Sequence, residues 1–83
     1  MPQSFSVFRV LLEGEHGSHG YFVNMQVACD TPDEAERLAR AKAREIGLNI
    51  VGIEEVVQLE GTETLATPQV TFVSGRSFFD KGH

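Results

Sequence analysis

Thr31-Pro32-Asp33-Glu34-Ala35-Glu36-Arg37-Leu38-Ala39-Arg40-Ala41-Lys42-Ala43-Arg44-Glu45-Ile46-Gly47 is the stretch that decides this fold, because its pattern is a helix with both ends marked. Thr31 offers a hydroxyl at the N-cap, Pro32 suits the first helical position, and Glu34 stands where it closes a capping box onto the Thr31 amide. Asp33, Glu34 and Glu36 also sit at the positive end of the helix dipole. Residues 35–46 are nearly all good helix formers, after which Gly47 can turn left-handed and Leu48 can make a Schellman-type apolar contact. The expected helix is therefore 32–46. Ala35, Leu38, Ala39, Ala43 and Ile46 recur at spacings of three and four and form its apolar face, whose three alanines let a sheet approach closely.

Working outward, four stretches rich in β-branched and aromatic residues read as strands, at 5–12, 20–29, 49–59 and 69–74. The fold class expected is α+β: a single helix packed on one face of a mainly antiparallel three- to four-stranded sheet, in the order β-β-α-β-β. Nothing in the chain marks a linker or a repeat, so residues 1–83 form one domain, with 80–83 expected to fray. The glycine-rich 13–20 reads as a mobile hairpin loop, and 61–68 as a second polar loop. Strand order is open. If the second and third strands are parallel neighbours, the unit around the helix is right-handed.

The second strand alternates, with Tyr21, Val23, Met25, Val27 and Cys29 on one side and Asn24 and Gln26 on the other. The first strand is apolar on both sides: Phe8, Val10 and Leu12 line one, and Phe5, Val7 and Leu11 the other. One helix covers one face only, so Phe5, Val7 and Leu11 are expected to form a second core face or a dimer face. Either Phe78-Phe79 folds back over them or a second copy of the chain does. The homodimer is the expected cover, two-fold dimers being the commonest oligomers.

With 41% hydrophobic and 23% charged residues the chain is composed like a globular protein, not a disordered one. A formal net charge of -5 disfavours phosphate backbones and anionic lipid surfaces and favours a basic or neutral partner. The single cysteine, Cys29, permits no intrachain disulfide and no cysteine-based zinc ladder. The first residues lack a signal-peptide pattern and no apolar run is long enough to span a membrane, so a cytoplasmic location without membrane contact is expected.

Few residues are candidates for chemistry. His16 and His19, with Glu13 and Glu15 nearby and His83 as a further donor, are the only metal-capable cluster; the plainer reading is a solvated hairpin tip. Cys29 precedes the helix N-terminus, but Asp30, Asp33 and Glu34 oppose a thiolate, and a buried apolar cysteine is expected. Arg37, Arg40 and Arg44 fall on one helix stripe opposite the alanines, which makes them the best partner-binding candidates, for nucleic acid in the sharpest version. Against that, the helix sums to zero charge, and Asp33-Arg37 and Glu36-Arg40 are spaced to neutralise the stripe in place. Outside the helix eight acids face three bases, a field that would steer a basic protein partner. Glu54 and Glu55 are neighbours on a strand and point to opposite faces, so they make no acid-base pair. The segment 75–79 reads as an anchored tail, not a substrate pocket. No nucleophile elbow, phosphate loop or dinucleotide fingerprint is present.

The run from Gly20 through Cys29, Asp30, Thr31, Pro32, Asp33, Glu34 and Ala35, followed by the arginine-rich helix and the strand at 50–57, resembles a pattern found in many small uncharacterised bacterial α+β proteins. In size and acidity the chain is also similar to cytoplasmic immunity proteins that cap bacterial toxins. The first resemblance implies the β-β-α-β-β fold and the second a protein partner. The sequence therefore points to a non-enzymatic interaction protein without a cofactor, acting through protein-protein contacts as a homodimer. A nucleic-acid-associated regulator using Arg37, Arg40 and Arg44, and a metal or small-ligand binder at His16 and His19, stand as alternatives.

Overall fold

A computed structural model describes residues 2–80. It contains β1 (Gln3–His16), β2 (His19–Cys29), α1 (Pro32–Glu45), β3 (Ile50–Leu65), β4 (Gln69–Val73) and β5 (Ser77–Asp80). The α+β class with one helix on an antiparallel sheet holds, but the sheet has five strands, not three or four. They run in the order β3-β1-β2-β4, and β5 also pairs with β2, further along it than β4.

The helix forms as its caps dictate. The Thr31 hydroxyl accepts from the Glu34 N–H at 3.2 Å, and at the other end the Leu48 N–H reaches the Ala43 carbonyl while the Gly47 N–H reaches that of Arg44, the Schellman pairing. Gly47 has φ +82°, which is why a glycine stands there. The capping box differs in one respect. The Glu34 carboxylate accepts from the Asp30 N–H at 3.2 Å, one residue beyond the Thr31 amide, because the chain enters the helix through an extended Thr31. Ala35, Ala39 and Ala43 are buried, so the helix backbone lies close on the sheet. Ile46 departs from the expected apolar face and is 42% exposed, because at the C-cap the chain has left helical geometry and Leu48 packs against the core instead.

Beneath the helix Phe8, Val10 and Leu12 of β1 meet Tyr21, Val23, Met25, Val27 and Cys29 of β2. Burying each large side chain there contributes about 1.5–3 kcal/mol. β2 and β3 are both antiparallel to β1, so they run parallel to each other with β1 between them. The unit around the helix is thus a split strand-helix-strand, and the two strands are not neighbours.

Both expected loops are largely strand. β1 and β2 pair up to His16 and His19, leaving a two-residue turn in which Gly17 has φ +63°. Gly14 and Gly20 belong to the strands. A Cβ on Gly14 would fall within 2.4 Å of the Tyr21 ring and one on Gly20 within 2.3 Å of the Phe79 ring, so each glycine is a seat for an aromatic ring across the ladder. Tyr21 uses this seat to reach across the core, where its hydroxyl accepts from the Asn49 N–H at 3.1 Å and fixes the entry to β3. Likewise β3 continues through Leu65, so that only residues 66–68 remain as a link to β4.

That link sets the shape of the sheet. Four Cα steps reach at most about 14 Å. Leu65 sits level with Gln3, and Gln69 sits level with Ala28 and hence Val7, on the far side of β1 and β2. In a flat sheet those ends would be about 19 Å apart, so the sheet must coil. Coiling is supplied by β3, whose sixteen residues oppose twelve on β1, with register shifts that leave Val51, Glu54, Glu60 and Gly61 unpaired. Phe5 (2% exposed), Val7 (8%) and Ala28 are buried outside the cluster under the helix, and Leu11 is half-buried. Phe5 and Val7 are therefore covered within one chain. A second copy is not needed to shield them, which removes the reason for placing a dimer partner there.

The C-terminal segment does fold back, although at the other end of the sheet. As β5 it lays Phe79 against Phe22 (centroids 4.9 Å apart) and Phe78 edge-on to Tyr21 (5.5 Å), with the Arg76 guanidinium over the Tyr21 ring. Asp80, expected to fray, is the last residue of β5, paired in register with His19; Lys81, Gly82 and His83 lie outside the described residues.

Candidate functional site

Arg37, Arg40 and Arg44 are exposed and share the outer face of α1, as their spacing requires. Arg37 pairs with Glu34 at 3.6 Å, not with Asp33, and Arg40 pairs with Glu36 at 3.5 Å. Asp33, Glu36, Arg37 and Arg40 together line a shallow cleft of about 340 Å³, so acids alternate with bases where a phosphate would have to sit. Among the described residues Arg44 makes no ion pair; it borders a second cleft of about 210 Å³ with Leu48 and Asn49. Exposed pairs of this kind contribute little stability, but they do cancel the field of the stripe.

The hairpin tip divides its candidates. His16 and His19 are direct cross-strand partners and share the helix side of the sheet with Gly14 and Tyr21, whereas Glu13 and Glu15 alternate to the other side. The expected cluster is thus split, and among the described residues no three His, Cys, Asp or Glu side chains gather as metal ligands. His83, the remaining donor, is outside those residues.

Burial pushes the Cys29 thiol above its ordinary range, and the nearby Glu34 and Asp30 carboxylates add to this, against a lowering by a hydrogen bond with the Thr31 backbone; the thiol donates to the Thr31 carbonyl at 3.3 Å. A thiol held neutral in this way is a poor nucleophile.

Glu54 and Glu55 do not point to opposite faces as expected: their neighbours Glu13 and Arg9 both lie on one face of β1, because a bulge on β3 breaks the alternation between the two carboxylates. Glu55 meets Arg9 at 3.3 Å. Glu54, the unpaired residue of a bulge, shares a hydrogen bond with Glu13 that lifts its carboxyl above the usual range. This cross-strand pair is one that strand alternation alone did not show, because the bulge on β3 had no signal in the sequence. It stands in open solvent, where like-charged carboxylates simply repel.

The remaining candidates are the two edges of the sheet, which could not be located before the strand order was known. One edge is β3, with Glu54, Glu55, Glu60 and Glu63 and no base. The other is β4 continued by β5. From residue 64 to residue 79 there is no acid, and Arg76 is the only charge. Phe72 and Phe78 on this edge are 53% and 54% exposed, the two most exposed of the large apolar side chains that stand in water, the others being Val51 and Ile46. Ser74 ends β4 by taking the ladder into its side chain: its hydroxyl accepts from the Asn24 N–H at 2.9 Å, while its own N–H donates to the Asn24 carbonyl at 2.8 Å. Ser74 and Asn24 are therefore a hydrogen-bonded pair. By the alternation of an antiparallel ladder, the N–H of Val73 points away from β2 toward the open edge.

No helix among the described residues is long and apolar enough to cross a membrane. Comparisons of the chain with protein-family models, with curated proteins and with solved structures find no match.

Proposed function

We propose that this chain is a small non-enzymatic interaction protein that works through protein-protein contacts, as a homodimer. The observation that carries the reading is the placement of Phe72 and Phe78, half in water, along a sheet edge without an acid from residue 64 to residue 79, in a molecule whose net charge is -5. Phe72 pairs with Gln26 on the face away from the helix and Phe78 with Tyr21 on the helix side, and large apolar side chains exposed beside unpaired backbone groups are what a partner strand covers. The likeness in size and acidity to toxin-capping immunity proteins belongs to the same reading, since both call for a protein partner. Light scattering coupled to size exclusion tests it: the mass should rise from 9.2 kDa toward twice that value with concentration. A constant 9.2 kDa across the whole series contradicts the homodimer.

A further inference from the structure

Resting on that reading, we infer that the homodimer forms by edge-to-edge pairing of β4 and β5 with the same strands of a second copy, which joins the two sheets into one. An antiparallel sheet has two edges, and here only one is open to a strand. Along β3 the four unpaired residues interrupt any straight run of backbone groups, and two β3 strands laid together would set Glu54, Glu55, Glu60 and Glu63 against their counterparts. Bulges and like charges are the devices by which edges are kept from pairing.

The β4 and β5 edge carries no acid before the terminal Asp80 and no like-charge row; within β4 Thr71 is the one register irregularity, and residues 74–76 separate β4 from β5. Two copies that each carry -5 repel least where neither presents an acid, and residues 64–79 are the longest such stretch in the chain. The occupant that matches is then a second copy. It brings the same exposed Phe72 and Phe78, the same outward Val73 amide and a single base in place of a row of charges. Pairing of like with like about a two-fold axis also closes on itself, whereas β3 of one copy on β4 of the next would propagate into a chain.

Concentration-dependent mass measurements on three proteins decide the matter. The unmodified chain should dimerise, Phe72→Lys should stay at 9.2 kDa throughout, and Val51→Lys, altered at an exposed position of the other edge, should dimerise as the unmodified chain does. Far-ultraviolet circular dichroism checks that each is folded, and Thr71→Lys replaces Phe72→Lys if the latter is not. A Phe72→Lys protein that dimerises normally overturns the edge assignment while leaving the homodimer in place. So does a Val51→Lys protein that alone fails to dimerise, or an unmodified chain whose mass climbs beyond a dimer. An unmodified chain that stays monomeric removes the homodimer itself, and this inference with it.

Discussion

Along β3 the sheet ends in sixteen residues, four of them without partners on β1, and every charged side chain is an acid. Along β4 and β5 it ends in two short strands, with no acid before Asp80 and two half-exposed phenylalanines. Both edges belong to the same coiled sheet and lie one strand away from the same core. The difference teaches that coiling and edge protection are one device. The surplus residues that give β3 its longer path are also those that spoil it as a template. The opposite edge, interrupted at Thr71 and between β4 and β5, keeps a usable row of backbone groups along β4.

The severest way to break the comparison is at the centre that both edges share. Gly14→Ala would drive a methyl group into the Tyr21 ring and displace the hydroxyl from the Asn49 amide. Overpacking of this kind costs about 1–3 kcal/mol, and the upper end is expected because a hydrogen bond is lost as well. Urea unfolding should report it. Next in size is Gly61→Ala, which touches β3 alone. With φ +90° and open space around it, the penalty is purely one of backbone conformation, about 1–2 kcal/mol. Thermal unfolding should show it with no change in dimerisation.

Phe72→Lys sharpens the contrast from the other side. Half-exposed already, it should cost the monomer about 0.5 kcal/mol or less, yet abolish self-association. The smallest effect should come from Glu54→Gln, and its sign is informative. Glu13 raises the folded-state pKa of Glu54. The folded chain therefore holds that proton more tightly than the unfolded one, and the associated stability is lost as pH rises through the folded value. At neutral pH the substitution should stabilise slightly, and the gain should vanish in acid. Urea titrations at neutral and acid pH measure both. Cys29 offers a check on the core: a disulfide reagent should label it slowly in the native protein and quickly in urea, given its burial and raised pKa.

The helix was legible in the sequence almost to the residue because its signals are local: a capping hydroxyl, a proline at the first turn, a glycine at the end. The central strands were legible through their alternation. The extent of β1, β2 and β3 was not, because Gly14 and Gly20 look like loop residues until the rings of Tyr21 and Phe79 are seen lying on them. Gly61 likewise marks a bulge inside a strand that is polar on its exposed side. β5 was read as an anchored tail, a four-residue strand being too short for periodicity to show. Of the candidate sites, the arginine stripe and the histidine pair could be placed from spacing, but their ion pairs and the split from Glu13 and Glu15 could not. The open edge was invisible in principle, since strand order depends on contacts between distant segments that no local pattern records.

Amide hydrogen exchange followed by NMR at low and high protein concentration tests the contrast between the two edges most directly. The Val73 amide, aimed outward from β4, should exchange more slowly as concentration rises, while that of Val51 on β3 should not change. A Val73 amide indifferent to concentration in a sample that dimerises, or a Val51 amide that gains protection instead, would contradict the account.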